Sequence, residues 1–217
     1  MPRGSFISLE GGEGAGKSTQ IRLLAAWLRD LGHEVIETRE PGGSPAAERI
    51  RETLLGLPES DGTWDAHTEC LLLNAARRQH VVDIIKPALG RGASVITDRF
   101  SDSTMAYQGY AGSVGRPAVE ALDHWAMDGF KPDLTLMLDI EPEAGAARAG
   151  ERARAAGQTV LDVFERRSIT FHQAVLAAFR DIAAREPERC VVIDASATQE
   201  LVAAAIQNAV KARLEVK

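Results

Sequence analysis

Short apolar, β-branched runs alternate with longer stretches of helical period along this 217-residue chain. Residues 6–9 read as a buried strand and lead into a glycine-rich turn. From Lys17 onward, Ile21, Leu24, Ala25, Leu28 and Leu31 recur at i, i+3/i+4, one stripe of a helix. Gly32 stands where a helix gives way to a left-handed residue. Residues 35–38 predict a second strand, residues 39–45 a loop, and Pro45 the first turn of a helix reaching about Leu55. A connecting loop covers 57–67, and Thr68 reads as the N-cap of a long helix ending between Pro87 and Gly90. Residues 94–97 form a strand closed by Asp98 and Arg99, 134–139 another, and 190–194 the last. Two helical segments surround the Arg-rich stretch 148–167, and a final helix spans 199–214.

Five strands joined by helices predict an α/β fold, with a five-stranded parallel sheet covered on both faces in three α/β/α layers. Ligands bind beyond the carboxyl ends of such strands. Chemistry-bearing residues are therefore sought just after strands.

Composition narrows the class. At about 150 residues per domain, 217 residues suggest one domain over 1–217. Hydrophobic residues make up 45% and the formal charge is −6, which supplies a core and argues against broad nucleic-acid binding. No run of about 18 apolar residues is present, so no membrane span is expected. The first five residues lack the apolar region of a signal peptide, so the cytoplasm is the expected compartment. Cys70 and Cys190 lie far apart and read as small buried apolar residues, and the five histidines have no metal-binding spacing.

Gly11, Gly12, Glu13, Gly14, Ala15, Gly16, Lys17 and Ser18 fit the phosphate-loop pattern G-x-x-x-x-G-K-[ST], between a strand and a helix. The glycines let backbone N–H groups converge on phosphate oxygens, and the helix N-terminus adds positive potential. Lys17 neutralises the β- and γ-phosphates and Ser18 ligates Mg²⁺; with Thr19 these residues form the predicted ATP site. A phosphotransferase also needs an acceptor site. Arg39, Arg51, Arg77, Arg78 and Arg99 lie after strand ends or on the following helices. Singly each reads as a surface side chain; together they point to a cleft for a second phosphate. Asp98 is placed to hold Mg²⁺ or its waters, with Asp139 the competing candidate.

Several segments resemble the thymidylate kinase family: Glu10 before the phosphate loop; Arg39, Glu40, Pro41, Gly42, Gly43; Ile50, Arg51; and Glu69 with Arg77, Gln79, His80. The most specific is Asp98, Arg99, Phe100, Ser103, Thr104, Ala106, Tyr107, Gln108, whose D-R-[FYH]-x-x-S-x-x-A-Y-Q string separates this family from other nucleoside monophosphate kinases. Residues 132–135, with Leu138 and Asp139, extend the match over nearly the whole chain. The resemblance implies transfer of the γ-phosphate of ATP to dTMP, giving dTDP for DNA synthesis. It places Glu13 at the 3′-hydroxyl of dTMP, Arg51 and Arg99 at its phosphate, and Arg77, Thr104 and Gln108 near the thymine edge. Tyr107 lies beneath the sugar, where it disfavours a 2′-hydroxyl, and Ser103 and Glu40 line the same pocket. A cis Glu40–Pro41 bond is expected in the tight pocket turn.

Two positions depart from the family pattern. Leu73 stands where the family usually stacks a Phe on thymine, a loss of about 0.5–1.5 kcal/mol of aromatic contact. In the lid, about residues 145–162, the usual D-R-x-E is replaced by Asp162, Val163, Phe164, Glu165. Gly14 gives the phosphate loop no arginine of its own, so Arg148, Arg152 or Arg154 supplies it, as in a bacterial subgroup. A homodimer is expected from the family, through faces such as Leu71 and Leu72 or Val81, Val82 and Ile85, although these fit an intrachain core equally well. Neither nucleic acid nor membrane is an expected partner. Leu73 keeps open a related kinase with another nucleotide or deoxynucleoside acceptor. A P-loop switch is disfavoured, since no N-K-x-D guanine-reading motif occurs.

Overall fold

A computed structural model describes residues 3–155 and 167–214, with only the backbone described at Glu59, Arg152 and Ala155. Five parallel strands form one sheet: β1 (Phe6–Gly11), β2 (Val35–Arg39), β3 (Ser94–Asp98), β4 (Leu134–Asp139) and β5 (Cys190–Asp194), in the order β2-β3-β1-β4-β5. The order reverses beside β1. Its carboxyl end is the switch point where such sheets bind ligands.

Side-chain alternation along the strands sets the two faces. Ile7, Leu9, Ile96, Leu134, Leu136, Leu138 and Ile193 pack with α1 (Lys17–Asp30) and α9 (Gln199–Arg213). On the other face, Phe6 and Val95 join Val81, Ile85, Leu89 and Met127, and Met137 joins Val175, Phe179 and Ile182 of α8 (Ile169–Arg185). That second face is not wholly apolar: Ser8, Glu10, Thr97 and Thr135 are fully buried there.

Helix boundaries follow the sequence signals, with two differences. α2 (Pro45–Leu55) is capped by Ser44, whose hydroxyl accepts from the Ala47 N–H. α3 (Ala66–His80) is capped by Asp65 rather than Thr68: its carboxylate accepts from the N–H groups of His67 and Thr68, so Thr68 already sits in the first turn. The rod then widens into a π turn (Val81–Ile85) before α4 (Lys86–Gly90). Pro87 explains the widening. Its ring has no N–H to donate to Asp83 and clashes with that carbonyl, and the Lys86 N–H reaches back to Val81. After β3 come α5 (Ser101–Thr104), a second π turn (Met105–Tyr110) and α6 (Arg116–Met127). α7 (Pro142–Ala155) opens the predicted lid, and lid residues 156–162, with the departures at Asp162, Val163, Phe164 and Glu165, lie outside the described residues. Cys70 and Cys190 are buried free thiols, as their spacing predicts. No described helix is long and apolar enough to cross a membrane.

Candidate active site

Past Leu9, β1 turns into the phosphate loop through Gly11, Gly14 and Gly16, at φ 139°, 67° and 88°. A Cβ at Gly14 would lie 1.9 Å from the carbonyl oxygen of Gly145, and one at Gly145 would lie 2.4 Å from that of Glu13. The start of α7 thus rests backbone-to-backbone on the loop. Lys17 Nζ folds back to donate to the carbonyls of Gly11 (3.1 Å) and Gly12 (2.9 Å). Burial, then the positive charge of Arg99, lower its pKa to about 8. Ser18 Oγ lies 3.3 Å from Asp98 Oδ2, and Asp98 Oδ1 is buried with no partner among the described residues. The competitor Asp139 is occupied by Arg180, which bonds both its oxygens at 3.0–3.3 Å.

Arg99 closes β3 in a left-handed conformation, φ 72°, unusual for a non-glycine residue. Its N–H donates to Leu9 O and its carbonyl accepts from Thr97 Oγ1 at 2.9 Å. The guanidinium donates to Gly11 O (3.2 Å), Ser103 Oγ (3.0 Å) and the Tyr107 hydroxyl (3.4 Å), and lies over the Tyr107 ring. Burial alone would lower its pKa, but Tyr107, Asp98 and Glu10 hold it above the usual arginine value.

Beside it opens a cavity of about 780 Å³, mouth included, within the usual range for small-molecule sites. Every residue expected around the acceptor lines it: Glu13, Glu40, Arg51, Leu73, Arg77, Arg99, Ser103, Thr104, Tyr107 and Gln108. Sequence reasoning missed Pro41, Leu55 and His172, which complete the wall. His172 arrives on α8, 33 residues beyond Asp139, where the family match quoted above stops, and nothing in the local pattern marks it.

Two polar chains hold the cavity floor. In the first, Thr38 Oγ1 meets His80 Nε2 at 2.7 Å, and His80 Nδ1 meets Glu40 Oε1 at 3.0 Å. Arg77 Nε donates to Glu40 Oε2 at 2.7 Å, and its Nη2 to Thr104 Oγ1 at 2.8 Å. Glu40, expected as a ligand contact, therefore spends both oxygens on Arg77 and His80, beside a cis Glu40–Pro41 bond. Arg77 Nη1 makes no hydrogen bond among the described residues and lies 3.8 Å from the Asp123 carboxylate. In the second chain, Gln108 Nε2 donates to the buried Glu69 at 2.8 Å. A carboxylate only accepts, so Glu69 turns the amide and leaves Gln108 Oε1 buried without a partner among the described residues. Gln108 and Tyr107 lie in the second π turn, which no sequence signal announces.

Of the five arginines expected to converge, Arg51, Arg77 and Arg99 line the cavity. Arg39 pairs with Glu48 at the surface, and Arg78 with Asp128 and the Ala126 carbonyl. Among the lid arginines, Arg148 donates to the carbonyls of Ala195 (2.7 Å) and Ser196 (3.0 Å), tying α7 to the loop after β5. Arg154 is exposed and bonds Gly150 O one turn back, and the Arg152 side chain lies outside the described residues.

The sequence profile of the thymidylate kinase family matches residues 9–206. Thymidylate kinase of Caulobacter vibrioides is 50% identical over 214 residues, 99% of each chain. That of Rhodopseudomonas palustris is 53% identical over 213 residues, covering 98% of this chain and 90% of its own. That of Afipia carboxidovorans is 48% identical over 213 residues, with 98% and 91% coverage.

Proposed function

This chain belongs to the thymidylate kinase family, and from that premise we propose how its cleft divides the work. The protein phosphorylates dTMP to dTDP with ATP as donor. Gly11, Gly12, Glu13, Gly14, Ala15, Gly16, Lys17, Ser18 and Thr19 hold the ATP phosphates, and the Arg99 side of the cavity holds the acceptor. The acceptor phosphate, with a second pKa of about 6, is a dianion at neutral pH, so no general base is needed. The remaining difficulty is repulsion between two polyanions. Lys17 exchanges its loop carbonyls for the ATP phosphates, while Arg51 and Arg99 fork onto the acceptor phosphate. The segment that opens on α7 (Pro142–Ala155) is assigned the family's lid role, excluding water from the donor. Arg148, fixed to the β5 loop, anchors the start of α7, and Arg152 and Arg154 are the remaining candidates for the lid arginine that meets ATP. Ser18 and Asp98 fit a hard divalent cation: both offer oxygen, and Asp98 Oδ1 is buried without a partner among the described residues. Mg²⁺ held there would neutralise charge between the β- and γ-phosphates. The reaction serves nucleotide supply in the cytoplasm.

Arg77 and Gln108 carry the base assignment: a donor side chain, and an amide whose oxygen has no partner among the described residues, both residues lining the cavity. Thymine offers the complement, a carbonyl acceptor beside an N3–H donor. Cytosine offers the reverse, so its ring nitrogen would face Gln108 Oε1 lone pair to lone pair. Leu73, buried in the wall, supplies flat apolar contact in place of an aromatic ring. In a coupled assay over dTMP, dUMP, dCMP and thymidine, dTMP should be the best acceptor. Losing only the methyl group, dUMP should fall about 10- to 200-fold in kcat/KM and dCMP about 10⁴-fold. A dCMP rate within tenfold of dTMP would refute the base assignment, and ATP turnover indifferent to dTMP would refute the kinase reading.

The homodimer would use Leu71, Val82 and Trp125, exposed by 56%, 47% and 79% on α3, the first π turn and α6. Val81 and Ile85, expected as interface candidates, belong to the core. Sedimentation should give twice the 23.4 kDa chain mass, and Trp125→Glu should return the monomer. A wild-type monomer at micromolar concentration would exclude this assembly.

A further inference from the structure

The phosphate-loop strand carries a buried acid that the phosphotransfer itself does not use. Glu10 is fully buried on the second sheet face, at the end of β1. Its carboxylate receives three neutral donors: Ser8 Oγ at 2.6 Å and the Phe100 N–H at 2.6 Å on Oε1, and Ser103 Oγ at 2.5 Å on Oε2. Two of the three belong to the Arg99 turn. The Phe100 N–H follows directly on the left-handed Arg99, so Glu10 pins the backbone of that turn. Ser103 gives its proton to Glu10 and therefore turns its lone pairs outward, where Arg99 Nη1 donates at 3.0 Å. A negative charge under a site for two polyanions works against binding unless it serves a cation there. Burial, and then Asp102 nearby, raise the Glu10 carboxyl to about 7 even against the Ser103 and Ser8 hydroxyls and Arg99, which favour the charged form.

We propose that Glu10 is a positioning residue for Arg99, fixing its backbone through Phe100 and its guanidinium through Ser103, and so setting affinity for the acceptor phosphate. This rests on the reading of Arg99 as the dTMP-phosphate arginine. Glu10→Gln preserves shape and can keep the Ser8 and Phe100 bonds on its one amide oxygen, but it places an NH₂ donor against Ser103. The hydroxyl must then reverse and loses the charge behind it.

Steady-state kinetics on the full chain decide the matter. Glu10→Gln and Ser103→Ala should each raise KM for dTMP about tenfold, the scale of one lost charge-assisted hydrogen bond, with KM for ATP changed less than about twofold. In an Arg99→Ala background, Glu10→Gln should add less than about threefold, because its route to the substrate is gone. An equal rise in both KM values, or an undiminished effect without Arg99, would overturn the proposal. Should Glu10→Gln fail to fold, Ser103→Ala decides through the same Arg99→Ala background: an added effect below about threefold supports the relay, and an undiminished one overturns it. Arg99→Ala with unchanged dTMP affinity would overturn the reading of Arg99 itself; a large Arg99→Ala effect beside silent Glu10→Gln and Ser103→Ala would overturn only the role of Glu10.

Discussion

Lys17→Ala should fold normally and turn over about 10²- to 10³-fold more slowly, the usual cost of removing one preorganised group that stabilises transition-state charge. The ammonium is buried and donates to the carbonyls of Gly11 and Gly12, which can bond water once it is gone. The hydrogen bonds lost are to carbonyls that water can serve, so thermal unfolding should move little. Proton uptake gives a second readout. Burial and Arg99 hold the Lys17 pKa near 8, so at pH 9 the free enzyme carries it mostly neutral. Phosphate oxygens favour the charged form, and ATP binding at pH 9 should take up a proton. Calorimetry in two buffers of different ionisation enthalpy should detect that uptake in the wild type and not in Lys17→Ala. Near-wild-type turnover in the variant would remove Lys17 from the catalytic role.

Arg77→Leu should act first on stability. Arg77 and Glu40 are each about 3% exposed at the side chain and meet at 2.7 Å. Removing the guanidinium leaves a buried carboxylate with only His80 among its described partners, takes the donor from the Thr104 hydroxyl, and leaves the Phe100 carbonyl with the Ser103 N–H alone of its two described donors. Breaking one side of such a pair costs about 3–5 kcal/mol, a large share of a domain's typical 5–15 kcal/mol. Denaturant titration should record that loss. The double variant Arg77→Leu/Glu40→Leu should recover part of it, because the stranded charge is removed too. The folded fraction should also discriminate poorly between dTMP and dCMP, having lost the donor that reads the base. A loss under about 1 kcal/mol would mean the pair is solvated, contrary to its burial.

The elements themselves were legible in the sequence. β4 and β5 run where their apolar, β-branched residues predict, and α2 begins at Pro45 and ends at Leu55. The phosphate loop was equally plain, because its glycines, lysine and serine are fixed by one local backbone shape. The acceptor wall was legible through family motifs and not through periodicity. Glu69 appeared in such a motif, yet its task of turning the Gln108 amide needs 39 residues of chain to fold back. The π turns were hidden because a widened turn keeps an ordinary apolar stripe; only Pro87 hints at the first.

Secondary structure and the phosphate loop are specified by neighbours within a few positions, where spacing alone decides which side chains share a face. The long polar side chains answer to partners far along the chain. Tertiary structure drew Arg77 to Glu40 and Arg148 to the β5 loop, and left Arg39 and Arg78 at the surface beside Glu48 and Asp128. It also buried Glu10 beneath Arg99 and seated Gly145 on Gly14. A guanidinium or carboxylate out of water must find its complement wherever folding delivers one, and no local pattern records that meeting.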